Sequence, residues 1–394
     1  MRGQTFWSDP LGARRVWPEG ETLAPLTNTE HGRLRRCDPT GPVRYRLRPI
    51  VTSYAEQPPL GTPVVADTSD IKARGYWELV WIRFKRDRLA VSCGIGLIVL
   101  VFAAYALAPV FAALLGHGPN DIFADGVRHS KPVGPWTYVS TAPYEGAVPP
   151  EGGTYPIQLL PLGADGDLGR DMFLRLLYGA QTSLEVAVLA TILTTMIGVL
   201  MGLLAGYFRG SVDTVVSRLT EMVMVFPALL FIIAVRVTAG DALNAVTFGF
   251  LAPGVFTLVL IFSIFGWFYP ARIIRGVVLS LREKEFVEAA RMTGAGDWRI
   301  MRSHLLPHLV APIIVYSTLI VATNIILEAG LSFLGLGIEQ PTASWGNLLA
   351  AAPEFYQIQP WIMVWPGLMI LLTTLAFNML GDGLRDAFDP RSTL

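Results

Sequence analysis

The feature that most constrains this chain is a set of long apolar segments without any charged side chain. A helix needs roughly 20 apolar residues to cross the ~30 Å hydrocarbon core of a bilayer, because no water is available there to satisfy its backbone amides. Five segments meet this requirement without Asp, Glu, Lys or Arg: 89–115, 186–208, 242–271, 309–327 and 360–380. A sixth, 219–239, contains Glu221 and Arg236 near its ends and Pro227 near its middle. The sequence therefore predicts an all-α membrane protein with about six transmembrane helices.

The composition supports the membrane class. Hydrophobic residues make up 52% of the 394 residues and charged residues only 16%, which is too apolar for an ordinary soluble protein. The formal net charge is +0, so no basic excess indicates nucleic acid as a partner. Cys37 lies in a polar region and Cys93 in an apolar one, which does not indicate a disulfide framework. The polar N-terminal region predicts no cleaved signal peptide.

Lysine and arginine collect beside alternate apolar segments. Short cytoplasmic loops hold an excess of these residues, so their positions indicate the orientation of the spans. Three clusters adjoin the first, second and fourth segments: Arg83, Lys85, Arg86 and Arg88; Arg209 and Arg218; and Arg272, Arg275, Arg282, Lys284, Arg291, Arg299 and Arg302. By contrast, 237–250 and 328–360 contain no Lys or Arg, whereas acidic residues such as Glu328 lie there. We therefore expect both termini to be cytoplasmic.

The same pattern divides the chain into four parts. Residues 1–75 mix Pro, Gly, Arg and acids without a sustained period, which predicts a partly disordered cytoplasmic extension. In 76–115, Trp77, Trp81 and Phe84 recur at helical spacing before the first transmembrane helix, which favours an interfacial helix; a simple basic anchor is the alternative. A long external loop is expected at 116–181, and the core membrane domain at 182–394.

The most informative connection is the loop 283–307, between the fourth and fifth segments. Glu288 to Met292 suits a short helix, Gly294 and Gly296 supply a break, and Asp297 suits the cap of a second helix. Two short helices joined at glycine would form a compact protrusion.

The composition of this loop suits contact with another protein. Ala289 and Ala290 are small and permit close approach, while Arg291, Arg299 and Arg302 suit a partner that carries acids. A docking lever is one interpretation. A solvated amphipathic loop, held near the membrane by its arginines, is the other.

This loop resembles the EAA loop of bacterial ABC importer permeases at six positions: Glu288, Ala289, Ala290, Gly294, Leu306 and Pro307. In that family the loop is a coupling helix that sits in a groove of the ATPase subunit. His304 stands where the family usually has a hydrophobic residue, a feature associated with the dipeptide and oligopeptide branch.

Three further segments resemble the same branch. They are 162–175 before the second span, 331–346 after the fifth, and 376–390, which is similar to the C-terminus of C-type dipeptide permeases. The resemblance covers roughly residues 76–394. The extension 1–75 and an insertion at 116–160 are lacking in compact family members, so the resemblance implies no role for them.

The resemblance implies a type I ABC importer permease fold with a coupling site on the loop 283–307. The implied ATPase-coupling residues are Glu288, Ala289, Ala290, Arg291, Gly294, Asp297, Trp298, Arg299 and Arg302. Its implied partners are a homologous second permease, two ATPase subunits that bind ATP and Mg, and an extracytoplasmic substrate-binding protein. The implied location is the cytoplasmic (inner) membrane of a prokaryote.

The sequence contains none of the patterns expected of an enzyme or a metal site. ATP hydrolysis uses G-x-x-x-x-G-K-[ST], yet none of the lysines, Lys72, Lys85, Lys131 and Lys284, follows a glycine. H-E-x-x-H and G-x-S-x-G are also absent. Pro307 lies between His304 and His308, and no third ligand is evident, so we expect no metal site. We expect no catalytic residue and no cofactor in this chain.

Several functions fit a membrane subunit of this kind. ATP-driven peptide import is preferred, although nickel, a glycoside or another small solute could replace the peptide. An ATP-independent channel or carrier and an assembly or signalling subunit are alternatives. A carrier driven by ion coupling has little support, because Glu221 and Arg236 are the only ionisable candidates within the predicted spans. Four polar residues suit either pathway lining or interhelical hydrogen bonds, of which the second is preferred: Thr191, Thr194, Asn324 and Asn378.

Overall fold

The computed structural model describes residues 75–143, 147, 154–246 and 254–389. The predicted extension 1–75 lies outside the described residues, except for Gly75. Within the described ranges the chain is mostly helical, with two small two-stranded sheets before the longest helices.

The first membrane segment follows a short separate helix. Helix α1 (Tyr76–Arg86) precedes α2 (Arg88–Phe102), a π-helical turn (Ala103–Leu107) and α3 (Ala108–Leu115). Asp87 separates α1 from α2, because its carboxylate accepts hydrogen bonds from the backbone N–H groups of Leu89 and Ala90 and so caps α2. Gly116 ends α3 in the left-handed region, with φ 77°.

The described part of the segment between α3 and α4 is folded. Strand β1 (Val127–Arg128) pairs antiparallel with β2 (Lys131–Pro132), and β3 (Thr137–Ser140) pairs antiparallel with β4 (Ile157–Leu160). Its core consists of the buried side chains of Phe123, Val133, Val139, Leu160 and Ala164. Helix α4 begins at Met172, so the last part of the loop predicted at 116–181 is helical.

Helices form most of the remaining described chain. After α4 (Met172–Phe208) come α5 (Gly210–Val225), α6 (Ala228–Val246), α7 (Val255–Gly266) and α8 (Phe268–Leu281). The short helices α9 (Glu285–Met292) and α10 (Asp297–Arg299) follow, and a π-helical turn (Ile300–Leu305) leads directly into α11 (Leu306–Phe333). Helices α12 (Trp345–Ala350), α13 (Ala352–Phe355) and α14 (Trp361–Phe388) complete the described chain.

The described helices can cross a membrane four to six times. Four stretches are long and apolar enough by themselves: Arg88–Leu115, Met172–Phe208, Asp297–Phe333 and Trp361–Phe388. Two bent pairs raise the number to up to six if each is one span; α5 with the first part of α6 is bent by 77°, and α7 with α8 by 41°. These findings confirm the all-α membrane class predicted from the sequence.

Two predicted boundaries are wrong. Residues 242–246 belong to the end of α6 rather than to the start of the fourth span. Arg272 and Arg275, predicted in a cytoplasmic loop, lie inside α8, because the apolar pattern continues past them and the helix ends only at Leu281.

Helix α4 packs closely against α8 along a stripe of glycines. A Cβ atom at Gly198 would lie 2.5 Å from Pro270 Cγ, and one at Gly202 would lie 2.5 Å from the carbonyl oxygen of Ala271. Gly206 continues the stripe opposite Val278. Small residues at this spacing allow two membrane helices to approach until their backbones touch. The stripe therefore fixes α8, and the loop that follows it, against α4.

Helix α1 packs against the end of α14. The rings of Trp77 and Phe388 lie 6.0 Å apart, and Arg83 Nη1 donates a 2.9 Å hydrogen bond to the carbonyl oxygen of Asp389. The tryptophans of α1 remain more than half exposed, Trp77 at 58% and Trp81 at 56%.

Candidate docking loop between α8 and α11

Helix α9 is amphipathic, and its inner face is fixed to the helix bundle. Val287 and Ala290 are buried among apolar side chains of α4, α8 and the π-helical turn, including Leu203, Val278 and Leu305. This packing holds α9 against the ends of the long helices. Ala290 faces the bundle and is only 7% exposed, so of the two predicted contact alanines Ala289 is the exposed one.

The opposite face of α9 and the turn after it are exposed. Glu288, Ala289, Arg291 and Gly294 are all exposed, and Met292 is exposed to 83%. Further along, Trp298 is exposed to 63%, and Arg299 and Arg302 are exposed as well. We call these eight side chains and backbone positions the docking face: Glu288, Ala289, Arg291, Met292, Gly294, Trp298, Arg299 and Arg302.

Gly294 makes the sharp turn between the two short helices. Its φ is +82°, a region that L side chains rarely adopt, and its N–H donates a 2.9 Å hydrogen bond to the carbonyl oxygen of Arg291. The N–H of Ala295 closes the turn with a 3.0 Å hydrogen bond to the carbonyl oxygen of Ala290. The predicted glycine break is therefore present at this position.

Asp297 does not cap the second helix, contrary to the prediction. The cap position belongs to Gly296, and Asp297 Oδ1 instead accepts a 2.6 Å hydrogen bond from the hydroxyl of Tyr207 at the end of α4. The bond draws the Asp297 side chain away from the helix N-terminus. It joins the docking loop to the longest helix of the chain.

Tyr207 is a residue in contact with this loop that sequence reasoning missed. Only 3% of Tyr207 is exposed, and the guanidinium carbon of Arg291 lies 5.4 Å from the centre of its ring. Arg282, at the end of α8, donates a 2.6 Å hydrogen bond from Nη1 to the Tyr207 carbonyl oxygen. An aromatic residue at the end of an apolar segment usually indicates the membrane interface, and nothing in the sequence connects it with Asp297.

A second polar cluster fixes the opposite end of α4. Arg175 is fully buried, with Nε 2.7 Å from Asp165 Oδ2, and its Nη1 donates to Asn120 Oδ1 at 2.8 Å and to the carbonyl oxygen of Pro341 at 3.0 Å. Arg170 adds a second ion pair to Asp165 at 2.8 Å. The segments that resemble the peptide-permease branch before the second span and after the fifth therefore meet here.

Asp171 caps α4 beside this cluster. Its Oδ1 accepts a 2.8 Å hydrogen bond from the N–H of Phe173, and its Oδ2 lies 3.5 Å from His117 Nε2. Burial raises the pKa of Asp171 to about 6, although the cap hydrogen bonds and the nearby His117 act in the opposite direction.

Within the membrane helices, the polar side chains bond to one another. Asn324 Nδ2 of α11 donates a 3.0 Å hydrogen bond to Thr191 Oγ1 of α4, which is the interhelical role preferred from the sequence. Glu328 was predicted in an external loop, but it lies inside α11 and is fully buried. Ser183 and Ser332 donate hydrogen bonds to its two carboxyl oxygens, at 2.8 and 2.7 Å.

The two histidines near the docking loop do not indicate a metal site. His308 lies against Phe286, with their rings 5.1 Å apart. In the part of the chain that the structure describes, no group of three or more His, Cys, Asp or Glu side chains is placed to hold a metal ion.

Two family models match this chain. The family described as "Binding-protein-dependent transport system inner membrane component" matches residues 198–394, and the "N-terminal TM domain of oligopeptide transport permease C" matches residues 75–132. The first match includes the whole docking loop.

Curated relatives match over most of the chain. The dipeptide transport system permease protein DppC of Alkalihalophilus pseudofirmus is 33% identical over 344 residues, which cover 87% of this chain and 97% of the relative. The glutathione transport system permease protein GsiD of Escherichia coli is 36% identical over 322 residues, covering 81% of this chain and 92% of the relative. A solved structure of the MetNI methionine ABC transporter in inward-facing conformations overlaps with a TM-score of 0.45 and 16% identity, covering 55% of this chain and 98% of that chain.

Proposed function

Because the chain belongs to the family of binding-protein-dependent transport system inner membrane components, as a C-type permease subunit of an ABC importer, we propose that it translocates small peptides across the cytoplasmic membrane of a prokaryote. It is a transport subunit rather than an enzyme. Its proposed partners are a homologous second permease, two ATPase subunits that bind ATP and Mg²⁺, and an extracytoplasmic substrate-binding protein. Both termini would then be cytoplasmic.

The observation that carries this proposal is the division of α9 into a fixed and a free face. Val287 and Ala290 hold the helix against the bundle, while the docking face stays exposed around Met292 and Trp298. Exposed large apolar side chains next to arginines are typical of a protein contact. An ATPase groove with acidic residues at its rim would match this surface.

The connections of the loop explain how movement of an ATPase would reach the membrane. The Tyr207–Asp297 hydrogen bond joins the loop to α4, and the π-helical turn continues without a break into α11. When the two ATPases close on ATP, a push on α9 would tilt both long helices. Such rigid-body tilting is one of the known ways to alternate access between two sides of a membrane.

A peptide is the proposed cargo because the two relatives carry related molecules by name. One is named for dipeptides and the other for glutathione, which is itself a short peptide with free carboxylates. Glutathione is therefore the second candidate cargo. Both can be tested with the same reconstituted importer.

Uptake by purified components tests the proposal. The chain would be co-expressed with its ATPase, second permease and binding-protein subunits, purified, and reconstituted in vesicles that contain ATP. We expect uptake of a labelled dipeptide or of glutathione that depends on ATP and on the binding protein. Uptake by this chain without an ATPase would support a channel or carrier and overturn the proposal.

Substitutions on the docking face test the ATPase contact. We expect Glu288→Arg and Met292→Glu to abolish co-elution of the ATPase while the two permeases still purify together. Glu354→Arg, which reverses an exposed charge in α13, is the matched control and should retain the ATPase. Retention of the ATPase by both docking-face variants would show that this surface is not the contact.

A further inference from the structure

A polar cavity lies between α5 and α8, away from the docking face. Its volume is about 320 Å³, and its polar lining comes from Ser217, Thr220 and Glu221 of α5 and from Arg272 and Arg275 of α8. This volume is at the lower end of the range of ~300–1,000 Å³ that is usual for small-ligand sites.

The cavity lies about three helical turns inside α5 and about two and a half inside α8. At 1.5 Å per residue, Arg272 is about 14 Å along α8 from its end at Leu281, and Glu221 is about 17 Å along α5 from its start at Gly210. Both helices belong to the bent pairs that pass the length and hydropathy test for a span when each pair is taken together. Ionisable groups within such helices are expensive in a bilayer and are usually retained for function, and interrupted helices often line substrate sites.

The charges around the cavity leave one cation without a protein partner. Arg275 holds Asp213 through two hydrogen bonds, from Nε to Oδ1 at 2.5 Å and from Nη2 to Oδ2 at 2.7 Å. Arg218 Nη1 donates a 2.8 Å hydrogen bond to Glu221 Oε2.

Arg272 differs from its two neighbours. Its side chain is exposed and lines the cavity, and within the described ranges it takes part in no ion pair or hydrogen bond. Since each of the other two arginines is matched by one carboxylate, the cavity carries one positive charge in excess.

We propose that this cavity is an oxyanion site in which Arg272 binds the terminal carboxylate of the peptide during translocation. The guanidinium group presents paired N–H donors that match a carboxylate, and the hydroxyl of Thr220 can donate a further hydrogen bond to the same oxygens. The identity of the cargo rests on the proposed function. A lipid phosphate is also an oxyanion that such a site can bind. The experiment distinguishes the peptide carboxylate from the lipid phosphate.

The first test compares a dipeptide with its C-terminal amide. The complete importer, with excess loaded binding protein, is reconstituted in vesicles of either zwitterionic or partly anionic lipid. We expect Arg272→Gln to reduce uptake of the free acid by about tenfold or more, the loss typical of one charged hydrogen bond, in both lipids. Arg385→Gln removes an exposed arginine from α14, which does not line the cavity, and should change nothing.

The outcomes separate the possible sources of the anion. An effect of Arg272→Gln that appears only in anionic lipid would assign the site to a headgroup and overturn the peptide role. Equal losses for the acid and the amide would indicate a structural role and overturn it as well. If the unaltered importer moves neither form of the dipeptide but moves another solute, the proposed function itself is wrong. That outcome differs from a loss of the Arg272 effect in an importer that does move peptides.

Charge rescue provides a second test that does not depend on transport of the amide. Arg272→Cys is made with Cys37 and Cys93 replaced by serine, and the new thiol is modified with either an aminoethyl or a neutral ethyl thiosulfonate reagent. We expect only the aminoethyl group, which restores a cation, to restore uptake of the free-acid peptide. Rescue by both reagents or by neither, in a variant that still binds the ATPases, would overturn the proposal.

Discussion

The hydroxyl of Tyr207 donates a 2.6 Å hydrogen bond to Oδ1 of Asp297, which joins the end of α4 to the start of α10. The bond connects the docking loop to a helix that is distant in sequence. Asp297 is one of the coupling residues that the resemblance implies, whereas Tyr207 is not.

Loss of this hydrogen bond should weaken coupling without loss of docking. We expect Tyr207→Phe to lower peptide uptake per ATP hydrolysed by about two- to tenfold, which corresponds to ~0.5–1.5 kcal/mol for one hydrogen bond. The measurement is the ratio of uptake to phosphate release in the reconstituted importer. Tyr316→Phe, in α11, is the matched control and should keep the normal ratio. A normal ratio in Tyr207→Phe as well would show that the bond does not transmit movement.

The glycine stripe predicts that a single added methyl group on α4 lowers the stability of the protein. In Gly202→Ala, the new Cβ would lie 2.5 Å from the carbonyl oxygen of Ala271, so α4 and α8 must separate. We expect a loss of about 1–3 kcal/mol, the usual cost of overpacking, and a lower midpoint of thermal unfolding in detergent. Gly276→Ala in α8 meets no atom within 4 Å and should be neutral or slightly stabilising. Similar midpoints for the two variants would contradict the close approach.

Removal of an arginine from the buried ion pairs at the start of α4 should reduce the free energy of unfolding far more than removal of one from a surface pair. Arg175→Met leaves Asp165 with one cation fewer in a buried site, and we expect a loss of roughly 3–5 kcal/mol. Arg128→Met breaks an exposed pair with Asp125 and should cost less than about 1 kcal/mol. Thermal unfolding of both variants measures the difference. If Arg175→Met unfolds at the same temperature as the unaltered protein, the network does not hold the helix end.

Asp171 predicts a specific dependence of stability on pH. Burial raises its pKa from 3.8 to about 6, so the folded protein binds its proton more tightly than the unfolded chain does. The stability that this tighter proton binding contributes is fully present below pH ~4 and is lost as the pH rises through ~6. We expect Asp171→Asn, which keeps an oxygen to cap α4, to reduce the fall in unfolding midpoint between pH 4 and 6. The exposed neighbour Asp167, changed to Asn, should leave the slope as it was.

The sequence predicted those features that depend on neighbouring residues. Charge-free apolar runs identified the membrane helices, and the glycine at 294 identified the turn of the docking loop. The predictions for Arg272 and Arg275 were wrong because a count of charges cannot tell a loop from the last turns of a helix. The ion pair of Arg275 with Asp213 of α5 depends on how two bent pairs pack.

Contacts between distant residues explain the remaining errors. Glu328 was placed outside because a carboxylate is usually hydrophilic, but Ser183 from α4 and Ser332 from its own helix satisfy its oxygens inside the bundle. Asp297 was expected to bond to its own backbone, and Tyr207 competes successfully for it. In both cases the partner on another helix could not be identified from local spacing.

Arg175 and Tyr207 fasten α4 near its two ends, and this arrangement makes the helix a beam across the whole bilayer. Its 37 residues give a length of about 55 Å, so a rotation of about 5° around one end carries the other end about 5 Å. In the proposed importer, peptide delivery on one surface and nucleotide turnover on the opposite surface would thus be linked mechanically, without any small molecule diffusing between them.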